Sequence, residues 1–292
     1  MRISLIDVDS KIPNLALMKI SAYHKQKGDA VGFNLRNPDK IYSSIIFKKN
    51  RGKAFSKPLD GIEVIYGGSG FDLSVKLPDE IEYLKPDYDL YPSSFSQGFT
   101  TRGCIRNCHF CLVPIKEGKL VHWQHPKEFY DGRFDTMMIM DNNWLADRDW
   151  FFETSQWIID NDLTVIEGGM DVRLIDNEII EQLKNLHMSI WHFAFDYTSI
   201  ESIVREKIQL LQDCNISTKN SCLFYVYCSG DESYADALYR CNVLRSIHAT
   251  PFLMFDPEYQ KTGRIKRLIK WVNRPQLFWS IPFDSYSRLC HT

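Results

Sequence analysis

Cys104, Cys108 and Cys111 fall within eight residues of the run TTRGCIRNCHFCLVP, spaced C-x3-C-x2-C, with Phe110 directly before the third. Three thiolates on so short a loop can cover one face of a soft metal centre and leave a further position free. A structural zinc site closes its tetrahedron with four protein ligands, whereas an open position admits a substrate or cofactor. Iron–sulfur clusters are held by cysteine thiolates in short loops of this kind. Two other chemistries use the same residues: zinc with His109 as a fourth ligand, or no metal at all, the thiols serving as small buried hydrophobes. His109 directly follows Cys108, so joining the same tetrahedron would strain the loop.

The chain that must position this loop has 292 residues, enough for one large domain or a domain with a smaller companion. Its apolar content of 44%, with 13% aromatic residues, supplies a substantial core. A net charge of −2 advertises neither a nucleic-acid nor a membrane partner. There is no apolar run of the length that spans a bilayer, and MRISLIDVDSKIPN reads as a first strand rather than a signal peptide. The eight cysteines are dilute and partly clustered in a metal-type loop, so a reducing cytoplasmic setting is expected rather than a disulfide framework.

Residues 1–93 read as a small α/β unit with a connecting segment. RISLIDV is a strand, and Pro13 to Lys27 is helical, with Leu15, Leu17, Met18, Ile20 and Tyr23 on its apolar face and Gly28 as its stop. VGFNL, IYSSIIF and GIEVIY follow as strands. Strands alternating with helices imply a mostly parallel, Rossmann-like sheet. Gly67, Gly68 and Gly70 come after the last of these strands, either where a ligand would sit or as a tight turn supporting the next domain. Residues 71–93 carry Pro78, Pro86 and Pro92 and read as a connection. Beyond Ser94, strands are expected at 95–101, 135–141, 163–167, 189–195, 221–227 and 250–255. The helical runs DWFFETSQWIID, NEIIEQLKN, TSIESIVREKIQLLQ and YADALYRCNVLRS lie between them.

The cysteine run, with its preceding Arg-Gly and following Val-Pro, resembles the cluster-binding loop of the radical S-adenosylmethionine (SAM) enzymes, whose pattern is C-x3-C-x-aromatic-C. The resemblance implies that Cys104, Cys108 and Cys111 hold three irons of a [4Fe–4S] cluster. The fourth iron would bind the amino and carboxylate groups of SAM, which one electron cleaves to methionine and a 5′-deoxyadenosyl radical. It also implies a partial (β/α)6 TIM-type barrel over 94–283, within a domain 94–292. The N-terminal layout resembles the cobalamin-binding-type domain that precedes the barrel in one subgroup. The D-x-H-x-x-G motif is absent, however, and His24 is expected at the surface, so cobalamin is not favoured. No cysteine precedes Cys104, which argues against a methylthiotransferase.

On this resemblance Phe110 would pack beside the adenine. In parallel α/β barrels ligands gather at the carboxyl ends of strands. Asp141, Asn142 and Asn143 follow the second strand, where Asp141 could accept from the SAM ammonium and Asn142 could donate to its carboxylate; a helix N-cap uses the same residue types. After the third strand, Gly168 and Gly169 would let backbone approach the cofactor. Arg173 has a fork suited to a carboxylate, and Asp171 could hold either Arg173 or a ribose hydroxyl. Asp196 after the fourth strand would face substrate or cap the next helix, and Met254-Phe255-Asp256-Pro257 is a weaker position of the same type. No residue is assigned to the reaction on substrate.

Cys214, Cys222, Cys228, Cys241 and Cys290 lack tight spacing and are expected as buried thiols rather than a second cluster; Cys222 and Cys228 share one face of a strand. The basic run Lys261, Arg264, Lys266, Arg267, Lys270 and Arg274 reads as the solvated face of a helix that packs Ile265, Leu268, Ile269 and Val272 inward, with phosphate contact as the alternative. The expected function is thus SAM cleavage at a [4Fe–4S] cluster, fed by an external electron donor and directed at an unidentified substrate. Nucleic acid is not favoured as a partner and no membrane partner is expected. A cobalamin-dependent radical methyltransferase and a non-catalytic metal- or cluster-binding module are the alternatives.

Overall fold

The computed structural model describes residues 1–53 and 61–289; Cys290 lies outside the described residues. It is a mixed α/β structure with twelve strands among these residues: β1 (Arg2–Asp7), β2 (Ala30–Phe33), β3 (Lys40–Ser44), β4 (Glu63–Gly67), β5 (Ser96–Gly98), β6 (Thr101–Arg102), β7 (Val121–His122), β8 (Thr136–Ile139), β9 (Thr164–Glu167), β10 (Trp191–Ala194), β11 (Cys222–Cys228) and β12 (Pro251–Phe255). By packing the chain divides into two compact units, Met1–Asn142 with Gln156–Ile166, and Asn143–Ser155 with Glu167–Thr292. The division expected near residue 93 falls inside the first unit. No described helix is long and apolar enough to cross a membrane.

In the first unit, β2-β1-β3-β4 form a sheet whose strand pairings are all parallel. β1 is paired on both edges, and Ile3, Ser4 and Leu5 are buried in succession instead of alternating, so both of its faces are covered there. The helix Leu15–Gln26 packs on it through Leu17 and Ile20. Asn14 caps this helix, its side chain accepting from Leu17 N–H at 3.2 Å, and Gly28 ends it at φ +79°. Its other face is also covered: Lys19 is 1% exposed, its ammonium donating to the Glu82 carbonyl and to Gln124 Oε1 (3.1 Å). The connecting segment is ordered by a short helix, Asp79–Glu82, and by Ile81, which joins the core of this sheet.

One expectation is corrected here. His24 is not a surface residue; it is 6% exposed, with Nδ1 at 2.7 Å from Asp29 and Nε2 at 3.0 Å from the Tyr42 hydroxyl. Its partners stand on the turn after its helix and on β3, and they draw the ring inward. Both ring nitrogens are engaged, so His24 offers no free ligand to a cobalt.

β5-β8-β9 form a second sheet and β10-β11-β12 a third; the third is parallel, with Phe193 opposite Phe224 and Val226 opposite Leu253. In the third sheet alternate residues separate cleanly. Trp191, Phe193, Phe224, Val226, Cys228 and Leu253 are buried, while His192, Tyr225, Tyr227 and Phe252 on the opposite face are partly exposed. Helices Tyr234–Ser246 and Gly263–Val272 pack beside these strands. Arg240, 1% exposed, holds two strand ends together by donating to the Phe195 (2.7 Å) and Tyr227 (2.9 Å) carbonyls.

Candidate functional site

The cysteine loop leaves β6 through Gly103. This residue has φ +79°, and a Cβ there would stand 2.2 Å from the Lys119 carbonyl oxygen, so glycine is required. Cys104 N–H donates to the Gly118 carbonyl at 3.4 Å, and Cys111 N–H donates to the Cys108 carbonyl at 3.0 Å. Two sulfurs accept backbone N–H groups: Cys104 Sγ from Arg106 and Cys111 Sγ from Val113, each at 3.4 Å. None of the three cysteines is in a disulfide, and all are partly exposed. Among the described residues, no three His, Cys, Asp or Glu side chains converge on a point that could hold a metal ion. Phe110 is half-buried, its ring edge-on to that of His109 at 5.3 Å.

Asp141 and Asn142, expected to meet a cofactor, are bonded to the root of this loop. Asp141 is 2% exposed, and its carboxylate accepts from Thr100 N–H (2.6 Å), Thr101 N–H (2.9 Å), the Thr101 hydroxyl (2.7 Å) and the Thr100 hydroxyl. Burial pushes this carboxyl up to about 6, against the pull of the threonine donors. Asn142 Nδ2 donates to the Gly103 carbonyl (3.3 Å) and to Glu117 Oε2 (2.7 Å), and the same oxygen accepts Gly103 N–H at 2.9 Å. Arg102 approaches the other Glu117 oxygen at 3.4 Å. Both sides of the Gly103 peptide are therefore pinned.

The glycine turn after β4 takes the supporting part. Gly68 and Gly70 let it lie against the Ile45 and Phe47 backbone, where a Cβ would come within 2.3 and 2.5 Å. Ser69 then accepts from Lys116 at 2.7 Å, on the short helix that directly follows Cys111. Burial holds the Lys116 ammonium below the usual lysine range.

In the second unit, Asn143 Oδ1 accepts Asp171 N–H at 3.0 Å, while its buried Nδ2 has no partner among the described residues. Asp171 and Arg173 form an internal pair, with Arg173 Nε and Nη2 at 2.7 and 2.8 Å from the two carboxylate oxygens. Gly169, at φ +149°, has open space beside its Cα, and exposed Gly168 precedes it. Asp196 Oδ1 accepts Tyr227 N–H at 2.9 Å; burial raises its carboxyl, with Arg240 and Arg173 pulling the other way. Asp256 accepts the Tyr227 hydroxyl at 2.6 Å. Cys222, Cys228 and Cys241 are buried and Cys214 partly exposed, all free. Burial pushes the Cys222 and Cys241 thiols up to about 12.

Sequence reasoning passed over Glu117 and the pair Glu167–His192. The Glu167 side chain is fully buried at the end of β9. Its Oε1 accepts the His192 backbone N–H (2.7 Å) and meets the ring Nδ1 (2.8 Å), while Oε2 has no partner among the described residues. The His192 ring stacks on Tyr225, with ring planes 9° apart. The one available signal was the place of Glu167 at a strand's carboxyl end. No protein-family model matches the chain, and no curated protein matches it.

Proposed function

We propose that this chain is a radical SAM enzyme, in which a Rossmann-like sheet precedes a partial (β/α)6 barrel. The observation that carries the reading is the cysteine loop: three reduced thiols in C-x3-C-x2-C spacing, with backbone N–H groups donating to two of the sulfurs. Hydrogen bonds to sulfur are one of the means by which a protein tunes an iron–sulfur cluster. Cys104, Cys108 and Cys111 fit as cluster ligands by this donor chemistry. When bound, the cluster would supply the electron that cleaves SAM.

The remaining tasks fall to the chain's own residues. Asp141, Asn142 and Glu117 hold the loop. Asn143 Nδ2 and Glu167 Oε2 are a buried donor and a buried acceptor without partners among the described residues, the two functions that the carboxylate and ammonium of an amino-acid group require. The half-exposed face of β10-β11-β12 offers apolar rings that exclude water from a reacting group. The test is mass-spectrometric detection of 5′-deoxyadenosine from anaerobically reconstituted protein given SAM and a strong reductant. Formation above a Cys104→Ala control is expected. A full complement of iron and sulfide with neither 5′-deoxyadenosine nor SAM binding would overturn the proposal.

A further inference from the structure

From Tyr259 to Phe283 the sequence holds six basic residues and no acidic one, in a chain whose net charge is −2. Helix Gly263–Val272 buries Ile265, Leu268, Trp271 and Val272, and the cations stand on its other side. Lys261, Lys266, Lys270 and Arg274 line a shallow cleft of about 400 Å³. Arg264 is neutralised by Asp231 at 2.7 Å, but Lys266, Lys270 and Arg274 have no acidic partner among the described residues. Lys266 and Lys270, four apart on the helix, repel each other unless an anion lies between them.

A second cleft of the same unit, about 480 Å³, lies at the N-terminal ends of β11 and β12, away from the strand ends that carry Asp196 and Asp256. It is lined by Lys219, Arg245, His248 and half-exposed Trp279. The Lys219 ammonium sits 4.6 Å from the Trp279 ring centroid, and the His248 ring is parallel to that indole within 11°. Arg245 is fixed by the Phe278 and Trp279 carbonyls at 3.0 and 3.4 Å. Cations beside an aromatic face make the combination that binds a nucleic-acid strand, phosphates on the charges and a base on the ring. A free polyphosphate would use the cations and have no use for the rings, and a lipid surface takes a tryptophan that protrudes among the headgroups, whereas Trp279 is half-buried and flanked by Lys219 and His248.

The helix Pro275–Ser280 links the two clefts, with Arg274 at its N-cap in the first and Trp279 near its end in the second. We infer that these clefts bind single-stranded nucleic acid, with phosphates held by Lys266, Lys270 and Arg274 and a base stacked on Trp279. A base takes the ring as Lys219 moves from it to a phosphate. These residues belong to the second unit and the cysteine loop to the first, and the inference does not depend on the radical SAM reading.

The experiment is fluorescence anisotropy of a labelled mixed-sequence oligonucleotide with the full chain across a salt series, RNA in one arm and DNA in the other. Saturable, salt-dependent binding in either arm is expected, and the tighter arm identifies the strand. The double variant K266E/K270E changes only exposed side chains that have no acidic partner among the described residues. It should weaken binding at least about tenfold and flatten the log–log salt slope by about 1.4, two contacts at roughly 0.7 each. Trp279→Ala should weaken binding about five- to a hundredfold, with Trp279→Phe restoring most of it and circular dichroism reporting that each variant is folded. Unchanged affinity in the charge variant overturns the inference. So does equal competition by inorganic polyphosphate together with no effect at Trp279, or sedimentation with phosphatidylserine-containing vesicles without oligonucleotide binding.

Discussion

Replacing Asp141 with asparagine tests how the cysteine loop is held. The carboxylate accepts N–H groups from Thr100 and Thr101, residues 0% and 2% exposed. Asparagine keeps the shape and one accepting oxygen but turns a donor toward a buried N–H, which costs about 1–3 kcal/mol. A second effect depends on pH. Burial holds the folded carboxyl at about 6, against about 3.9 for an ordinary aspartate. Between those values the folded chain binds more protons than the unfolded chain. The stability that Asp141 contributes is thus fully present at the acid end, is lost as pH rises through the window, and changes no further above it. About two pH units at about 1.4 kcal/mol each make this loss about 3 kcal/mol.

Asparagine does not titrate, so the margin by which the parent chain exceeds Asp141→Asn should shrink by about 3 kcal/mol between about pH 4 and pH 7. Parallel urea unfolding of the two proteins across that range, under reducing conditions, measures the margin directly. Groups common to both chains cancel in the difference. A margin constant with pH would refute the reasoning, because it would mean that water reaches the carboxylate and the turn from β5 to β6 is not sealed by it.

Gly103→Ala should block iron incorporation on reconstitution while the buried-tryptophan signal of the folded chain persists, since its Cβ meets the Lys119 carbonyl; normal iron content would show that the loop can shift at no cost. Arg240→Met leaves the carbonyls of Phe195 and Tyr227 buried without their donor. It should destabilise by about 2–5 kcal/mol and lower Tm by about 10 °C, read by circular dichroism melting, and a shift of a degree or two would contradict the structural role. Glu167→Gln keeps an oxygen for the bonds to His192 but puts an amide donor in place of the acceptor at Oε2. Calorimetric SAM affinity should fall about tenfold or more with melting unchanged, and an unaltered affinity removes Glu167 from the cofactor site.

What could be read along the chain was whatever local pattern decides. NEIIEQLKN and YADALYRCNVLRS carry an apolar face at helical spacing and form helices over those residues, and the strands from β8 to β12 lie within or beside the expected spans. The roles of Asp141 and Asn142 were not local. A carboxylate and a carboxamide at the end of β8 suit the ammonium and carboxylate of a ligand as well as they suit the hydroxyls and amides of a neighbouring turn. What decides is that Thr100 and Thr101, about forty positions earlier, fold against Asp141, and only tertiary structure supplies that. His24 and Lys19 follow the same logic: their burial depends on Tyr42, Asp29, Glu82 and Gln124, none of which a helical wheel contains.

The three polar residues after β8 divide their work between the two compact units. Asp141 and Asn142 complete the first, where their hydrogen-bonding capacity goes to Thr100, Thr101, Gly103 and Glu117. Asn143 begins the second, where one donor atom remains unspent. A short run that reads as a single ligand-contact element therefore makes its hydrogen bonds in two different units. Substitutions at Asp141 or Asn142 should register first in the iron content of the protein, because they act on the cysteine loop. Asn143→Asp keeps an oxygen for Asp171 N–H and removes only the Nδ2 donor, which has no partner among the described residues, so it should register first in ligand affinity.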